Sequence, residues 1–418
     1  MNIAIVGAGT SGISTALELA RDGHQVTVYE QHNATAEDAS FAPGGWLSPC
    51  ALQTLSVPGG GMPLQRLLRN PHLLQGSTLI GGQTWRWLRQ WKKREKQASK
   101  QLNRQLACDL QNLAAYSQSL RWQDSEDAAI SAELKAGHLV ILRTPQDCVF
   151  WKERLESLQH QGVPCSLVTA EQCQQLEPGL GQELPIAGAL HFPSGESINP
   201  RLWTQQLRTQ AQALGVNIHP GVRVDAVQNH PLGLKIQGRM YLHDSIVLCT
   251  GAHQDLLQHI GIQLPSLAIA GYSVTAPVRD ALLAPRSSVM DWAQQTTISR
   301  MGQRVRITAG AELNSAADTP QQQPTLQRMY NLLNDWFPGG VQLSSPQLQI
   351  WKGTRLLLPD GLPAVGPSPH PNIWLNTAHG SHGIALAAGC ARALADMLSH
   401  KETAIDMGAF HPHRFQHN

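Results

Sequence analysis

The chain has 418 residues, more than one hydrophobic core normally serves, so two domains are expected. Lys and Arg (32) nearly balance Asp and Glu (30), and a formal charge of +2 leaves no case for nucleic acid as the main partner. The seven cysteines are odd in number, scattered and never spaced C-x-x-C, which excludes a disulfide framework and a cysteine zinc site and points to a reducing compartment.

The first element is an apolar strand, Asn2-Ile3-Ala4-Ile5-Val6, so no secretory signal is expected. It runs into Gly7-Ala8-Gly9-Thr10-Ser11-Gly12, which fits G-x-G-x-x-G, then a helix, a second strand Gln25-Val26-Thr27-Val28-Tyr29, and Glu30. This βαβ unit reads as a dinucleotide site. Gly7 allows the tight turn, Gly9 lets a pyrophosphate approach the backbone, and Gly12 lets helix and strand pack closely. The phosphates sit on the helix N-terminus, and the Glu30 carboxylate accepts hydrogen bonds from ribose hydroxyls.

Beyond Glu30 the periodicity fades through Ser40-Phe41-Ala42-Pro43-Gly44-Gly45 and a loop from Val57 to Pro63, an exit from the nucleotide domain. Helical composition follows from about Leu64 to Trp122, then an isolated strand from Gly137 to Leu142 and a helix around Phe150 to Gln161. A further helix spans about Pro200 to Leu214, with proline in the first turn. Val216 to Cys249 alternates in short strands, read as a β-meander returning to a parallel core strand. Strands at Tyr272–Thr275, Thr297–Ser299 and Arg304–Thr308 predict a second, mostly antiparallel sheet, and a helix is expected from about Thr325 to Phe337. The chain closes with a strand Asn372-Ile373-Trp374-Leu375, the turn His379-Gly380-Ser381-His382-Gly383 and a small-residue helix. That helix, Ile384 to Ala395, is too short to span a bilayer and contains Arg392.

Two elements favour a flavin over a nicotinamide. The strand Asp244-Ser245-Ile246-Val247-Leu248-Cys249 ends in the small-residue turn Thr250-Gly251-Ala252, and this resembles the second nucleotide signature of flavoproteins with two dinucleotide-binding motifs. The glycine turn around His379 to Ile384 starts a helix whose N–H groups and dipole suit the flavin pyrimidine edge, where negative charge accumulates on reduction. A second intact G-x-G-x-x-G for NAD(P)H is absent, as is a closely spaced redox cysteine pair. The electrons then come from an organic substrate.

Over essentially its whole length the chain resembles the glycine oxidase and D-amino acid oxidase superfamily, and most closely its FAD-dependent D-amino acid dehydrogenases of the small-subunit type. The residues that carry the likeness are Gly271-Tyr272-Ser273, the run Trp351-Lys352-Gly353-Thr354-Arg355-Leu356-Leu357-Leu358-Pro359-Asp360-Gly361-Leu362-Pro363-Ala364-Val365-Gly366, and Trp374 to Gly380. The middle run is similar to W-x-G-x-R-P-x-x-P-D-G-x-P-x-x-G.

The resemblance implies an α/β fold in which a Rossmann-like FAD-binding domain (1–50, 196–262 and 352–418) is interleaved with an α+β substrate domain (51–195 and 263–351). It implies non-covalent FAD held by the first motif and Glu30, with Gln31, Ser40, Gly45, Trp46, Val224, Thr250, Gly251, Gly380, Ser381, Gly383 and Ile384. Arg355 is expected on the substrate carboxylate, Tyr272 as a second contact, and His379 and His382 beside cofactor or substrate. A planar guanidinium grips a carboxylate through two charge-assisted hydrogen bonds, as lysine cannot. No metal site is expected. The chain departs from the family at Pro43 and Trp46, where asparagine and glutamine are common, at Ala270, often lysine, and at Leu356, often proline; Ser48 and Pro49 fit.

The implied reaction oxidises a D-amino acid to an imine and then a 2-oxo acid, with electrons passed to a quinone or respiratory partner. Glycine, sarcosine or a D-proline type substrate is the near alternative, and a non-catalytic dinucleotide-binding protein the alternative from another class. The basic run Trp85-Arg86-Trp87-Leu88-Arg89-Gln90-Trp91-Lys92-Lys93-Arg94 reads either as a helix that buries its tryptophans or as a lipid headgroup contact. The resemblance favours the second, on the cytoplasmic face of a bacterial inner membrane.

Overall fold

A computed structural model of the chain describes residues 1–47, 58, 62, 64–70, 73–76, 81–97, 100–122, 131–313 and 322–415. Ser48, Pro49 and most of the loop 57–63 lie outside these residues.

A six-stranded sheet carries the nucleotide signatures, in the order Ala364–Pro367, Ile373–Thr377, Ser245–Leu248, Asn2–Val6, Gln25–Tyr29, Asn217–His219. Its inner strands are parallel and apolar on both faces, as a sheet covered on both sides requires. On one face Ile3, Ile5, Val26, Val28 and Val247 pack with residues of the helices Thr10–Arg21, Lys100–Arg121, Pro200–Ala213 and Gly383–Leu398. On the other, Ala4, Val6, Ile246 and Leu248 meet Val227, Leu234 and Ile236 of a three-stranded meander, Ala226–Asn229, Leu232–Ile236 and Arg239–Leu242. The meander is therefore displaced from its expected span. Asn217–His219 instead pairs in parallel with Gln25–Tyr29 at the sheet edge, and Arg239–Leu242, exposed on both faces, gave no alternation to read.

The second sheet is nine-stranded: Gln349–Leu357, Leu267–Pro277, Arg304–Leu313, Thr296–Met301, Ser288–Asp291, Lys135–Leu142, Gly188–Ser197 and Ser166–Val168, with Gln75–Gly76 beside Arg304–Leu313. Most of its pairings are antiparallel. Lys135–Leu142 is not isolated; it lies inside this sheet, parallel to Ser288–Asp291. The expected domain limits at 195/196 and 351/352 fall inside two of its strands, Gly188–Ser197 and Gln349–Leu357.

The helix Gln322–Trp336 packs Leu326, Met329, Leu333 and Trp336 on one face of this sheet. Against the other lies the basic helix Gly82–Gln97. Its Trp87 and Trp91, one turn apart, are 2% and 3% exposed and stack at 5.2 Å, and the Trp87 indole N–H donates to the carbonyl of Leu357 at 3.1 Å. Trp85 is 58% exposed, beside exposed Arg86, Arg89, Lys92, Lys93 and Lys96. Among the described residues no helix is long and apolar enough to cross a membrane, and Cys108, Cys148, Cys165, Cys173, Cys249 and Cys390 are free thiols.

Candidate active site

A chamber of about 840 Å³ is lined from both sheets. At its nucleotide end the strand Asn2–Val6 delivers Gly7 with φ +106°, a conformation that favours glycine. A Cβ on Gly7 would lie 2.5 Å from the carbonyl oxygen of Cys249, and one on Gly12 would lie 1.9 Å from the carbonyl oxygen of Gly7. Only glycine allows helix Thr10–Arg21 to sit this close to the strand ends. The N-cap residue of that helix, Gly9, has no side chain to cap it, and the helix start lines the chamber through Gly9, Thr10 and Ser11, with the Thr10 N–H donating to Ser40 Oγ at 3.1 Å. The Glu30 carboxylate accepts from the Ala8 N–H at 2.6 Å and the His32 N–H at 2.8 Å, which braces the turn and holds the acid on the chamber wall. Gln31, Val224, Thr250 and Gly251 complete this end; Gly12 serves the packing and is not on the wall.

At the other end, strands Leu267–Pro277 and Gln349–Leu357 pair Gly271 with Gly353 and Ile269 with Arg355. Directly opposed residues share a face, so Arg355 lies over the bare backbone of Gly271, where a Cβ would come 2.8 Å from its Nη1. The Trp351 ring covers Gly353 in the same way, within 1.8 Å of where a Cβ would stand. Arg355 Nε is buried with no hydrogen-bond partner, and no described carboxylate forms an ion pair with this guanidinium. Burial lowers its pKa to about 10, so it remains a cation at neutral pH. Around it the wall is Trp46, Met290, Gln295, Thr297, Thr308 and Thr354, with no acid among the described residues there. An uncompensated buried guanidinium costs several kcal/mol unless an anion joins it.

Tyr272 faces away from Arg355. Paired with Lys352 on the opposite face, it contributes to the wall, but its hydroxyl donates to buried Glu312 at 2.7 Å, and Lys352 Nζ stands 3.4 Å from the second carboxylate oxygen. The Tyr272 ring therefore shares the chamber wall with Arg355 while its hydroxyl is engaged by Glu312, because successive residues of a strand point to opposite faces.

His379 joins the wall, and His382 does not. His379 Nε2–H donates to Asn376 Oδ1 at 2.7 Å, the Asn376 amide donates to Thr15 Oγ1 at 2.9 Å, and the Thr15 hydroxyl donates to the Ser11 carbonyl at 2.7 Å. Ser11 Oγ stands 3.5 Å from His379 Nδ1 and closes the ring. Burial drives the His379 pKa down to about 4, so this imidazole is neutral and ties the phosphate helix to the turn before Gly383–Leu398. His382 is buried behind that turn, its pKa pushed to about 3 by burial and by the charge of Arg355, with Nδ1 unpartnered. Of the two histidines expected beside cofactor or substrate, His379 is on the wall and His382 lies close enough to Arg355 to feel its charge. Gly380, Ser381, Gly383 and Ile384 do reach the chamber.

Two of the departures, Pro43 and Trp46, lie on one loop held by buried contacts. Arg306, buried and with its pKa lowered by burial to about 9, donates through Nε to Thr275 Oγ1 at 2.8 Å and through Nη1 to the carbonyl of Pro43 at 3.0 Å. Gly45, at φ +71°, passes so close to Ile198 that a Cβ would lie 2.0 Å from its carbonyl oxygen. Trp46 then bridges to Ser197 and meets the His138 ring edge-on at 4.9 Å. Asp360 of the P-D-G turn accepts an ion pair from Arg414 at 2.7 Å and anchors the C-terminal segment. Sequence reading missed Arg306, Asn376 and Thr15, each of which has at least one partner far away in the chain, and a group of His32, Asp38 and His253 at the nucleotide end.

A Cβ-free cradle, a helix start and a carboxylate on the chamber wall suit a dinucleotide without rearrangement. The signature of the FAD dependent oxidoreductases (DAO) matches residues 2–397. A D-amino acid dehydrogenase of Bradyrhizobium diazoefficiens is 31% identical over 431 aligned positions, covering 100% of this chain and 99% of that protein. Among solved structures, glycine oxidase from Geobacillus kaustophilus superposes with a TM-score of 0.72 at 20% identity, covering 98% of this chain and 97% of that one. L-proline dehydrogenase from P. horikoshii gives 0.71 at 18%, covering 99% and 97%. The chain belongs to the DAO family of FAD dependent oxidoreductases, and its cofactor is FAD.

Proposed function

We propose that this chain is a D-amino acid dehydrogenase: it oxidises the Cα–N bond of a D-amino acid to an imine, which water hydrolyses to a 2-oxo acid and ammonia. The observation that carries the reading is Arg355, a buried cation without an acid partner at the acid-free end of a chamber whose other end is built for a dinucleotide. Its two Nη groups hold the substrate carboxylate, and the neutral wall of Thr297, Thr308 and Gln295 receives the rest of the molecule. Bound FAD supplies a two-electron acceptor for the hydride leaving Cα. The substrate amine loses its proton to solvent, and no described carboxylate lines this end of the chamber to act as base.

Holding the Cα–H in a near-attack position is the main lever, worth about 7–11 kcal/mol when the geometry is right. The helix start at Gly383 favours negative charge on the side of the chamber it lines. The D-amino acid dehydrogenase relative supports the choice of substrate class; the glycine oxidase and L-proline dehydrogenase folds support a second reading, a glycine or cyclic secondary amine.

Anaerobic mixing with paired D- and L-isomers, glycine and proline tests this. Bleaching by D-isomers is expected, with bleaching lost in Arg355→Ala while the protein stays yellow. Bleaching by L-isomers or proline alone refutes the assignment, and no bleaching by any amine leaves a non-catalytic nucleotide-binding protein. A quinone or respiratory carrier then takes the electrons, and the exposed face of Gly82–Gln97 meets anionic lipid through Trp85 and its five exposed cations. Vesicle flotation at low salt checks this, and absence of the protein from the lipid layer rejects it.

A further inference from the structure

We infer that His32, Asp38 and His253 form a divalent transition-metal site of the zinc class on the rim of the nucleotide end of the chamber. Each offers one ligand atom, and the three atoms lie within 4.8 Å of one another. His253 Nε2 and Asp38 Oδ2 are 3.3 Å apart. That distance is a direct ion pair when His253 is protonated, and it also falls within the about 3.3–3.6 Å that separates tetrahedral ligands at Zn–N and Zn–O distances of about 2.0–2.2 Å. Two imidazoles and one carboxylate suit zinc or a neighbouring transition ion and do not suit magnesium or calcium, which take oxygen ligands.

The backbones that carry the ligands are fixed. The His32 N–H donates to Glu30 Oε1, and its carbonyl accepts from the Gly221 N–H at 2.7 Å. The carbonyl of Asp38 accepts from the Phe41 N–H at 2.8 Å, and the His253 N–H donates to the Thr250 carbonyl at 3.0 Å. The side chains are half-buried at His32 and Asp38 and exposed at His253, so an ion can enter without opening the fold.

Charge argues the same way. This end of the wall also carries Glu30, Glu37, Asp225 and Asp255, against Arg223 as the described Lys or Arg there. A dinucleotide brings two more negative charges to it. A divalent cation on the rim offsets both. Two ligands come from the segment after the strand Gln25–Tyr29 and the third from the turn after the strand Ser245–Leu248, so the ion joins two loops that both line the nucleotide end of the chamber. The consequence is retention: a metal that clips these loops together slows FAD release, and by linkage FAD tightens the metal.

The test uses untagged, oxidised, FAD-loaded protein, stripped with chelator and without substrate, so its outcome is independent of which amine the enzyme oxidises. Zinc chloride is titrated against a chromophoric zinc chelator, with magnesium chloride as control. One tightly held equivalent of zinc is expected, with affinity lowered at least about 10-fold in His253→Gln and in Asp38→Asn. Zinc affinities are compared at matched flavin loading, and FAD release from the parent protein in dilution should be at least about 5-fold slower with zinc than with chelator. Equal zinc affinity in parent and variants overturns the inference, as does zinc uptake only as FAD leaves, or no saturable uptake. His32→Gln serves as the second variant if either of the others loses its flavin.

Discussion

Gly271→Ala is the sharpest test of how this site is built. The strand geometry at Gly271 suits any residue, since its φ is outside the left-handed region, so the substitution adds a methyl without backbone strain. That methyl stands 2.8 Å from Arg355 Nη1 and 3.2 Å from the Gly310 carbonyl oxygen. Non-bonded heavy atoms settle at about 3.5–4.0 Å, so the guanidinium must withdraw by about 1 Å while the sheet gives by a few tenths. Misplacement of a positioning group by about 1 Å can cost about 100-fold in rate, or about 2.7 kcal/mol in the transition state. The clash falls on the mobile end of a side chain, so the fold and the distant glycine cradle are left intact. Anaerobic stopped-flow reduction by a D-amino acid should therefore show kcat/KM lowered about 100-fold, with parental flavin content and thermal midpoint. Parental kcat/KM in this variant would refute the claim that Arg355 is held over Gly271 to position substrate.

Tyr272→Phe removes a hydrogen bond to buried Glu312 on the far side of the strand from Arg355, so stability should fall by about 1–3 kcal/mol in urea unfolding while KM for substrate stays at its parental value. A large rise in KM without loss of stability would return the hydroxyl to the substrate. Acid should weaken the fold through its buried neutral histidines. His379, His382 and His138 have folded pKa values of about 4, 3 and 3 against an unfolded 6.5, so the unfolded chain binds more protons below pH 6.5 and stability falls as pH drops through that window. Between pH 8 and pH 5 this amounts to about 2 kcal/mol for each independent histidine. Equal urea midpoints at the two pH values would contradict it, and His138→Gln should flatten the dependence.

Local signals carried much of this protein into view. The βαβ unit from Ile3 to Glu30, the helix after Asn199 and the helix after His382 follow from periodicity, glycine and capping within a few residues, because short-range sterics decide them. The sequence alone therefore determined a dinucleotide cradle and a guanidinium in a family motif. Tertiary structure alone decided which groups share a cavity. Tyr272 and Gly271 are neighbours in the chain on opposite faces of a sheet, His379 lines the chamber wall while His382 does not, and His32 and Asp38 meet His253 because only the strand Asn2–Val6 separates the strands they follow. Side-chain direction alternates with every residue of a strand, and contacts between distant segments depend on sheet order, so neither can be read from spacing along one chain.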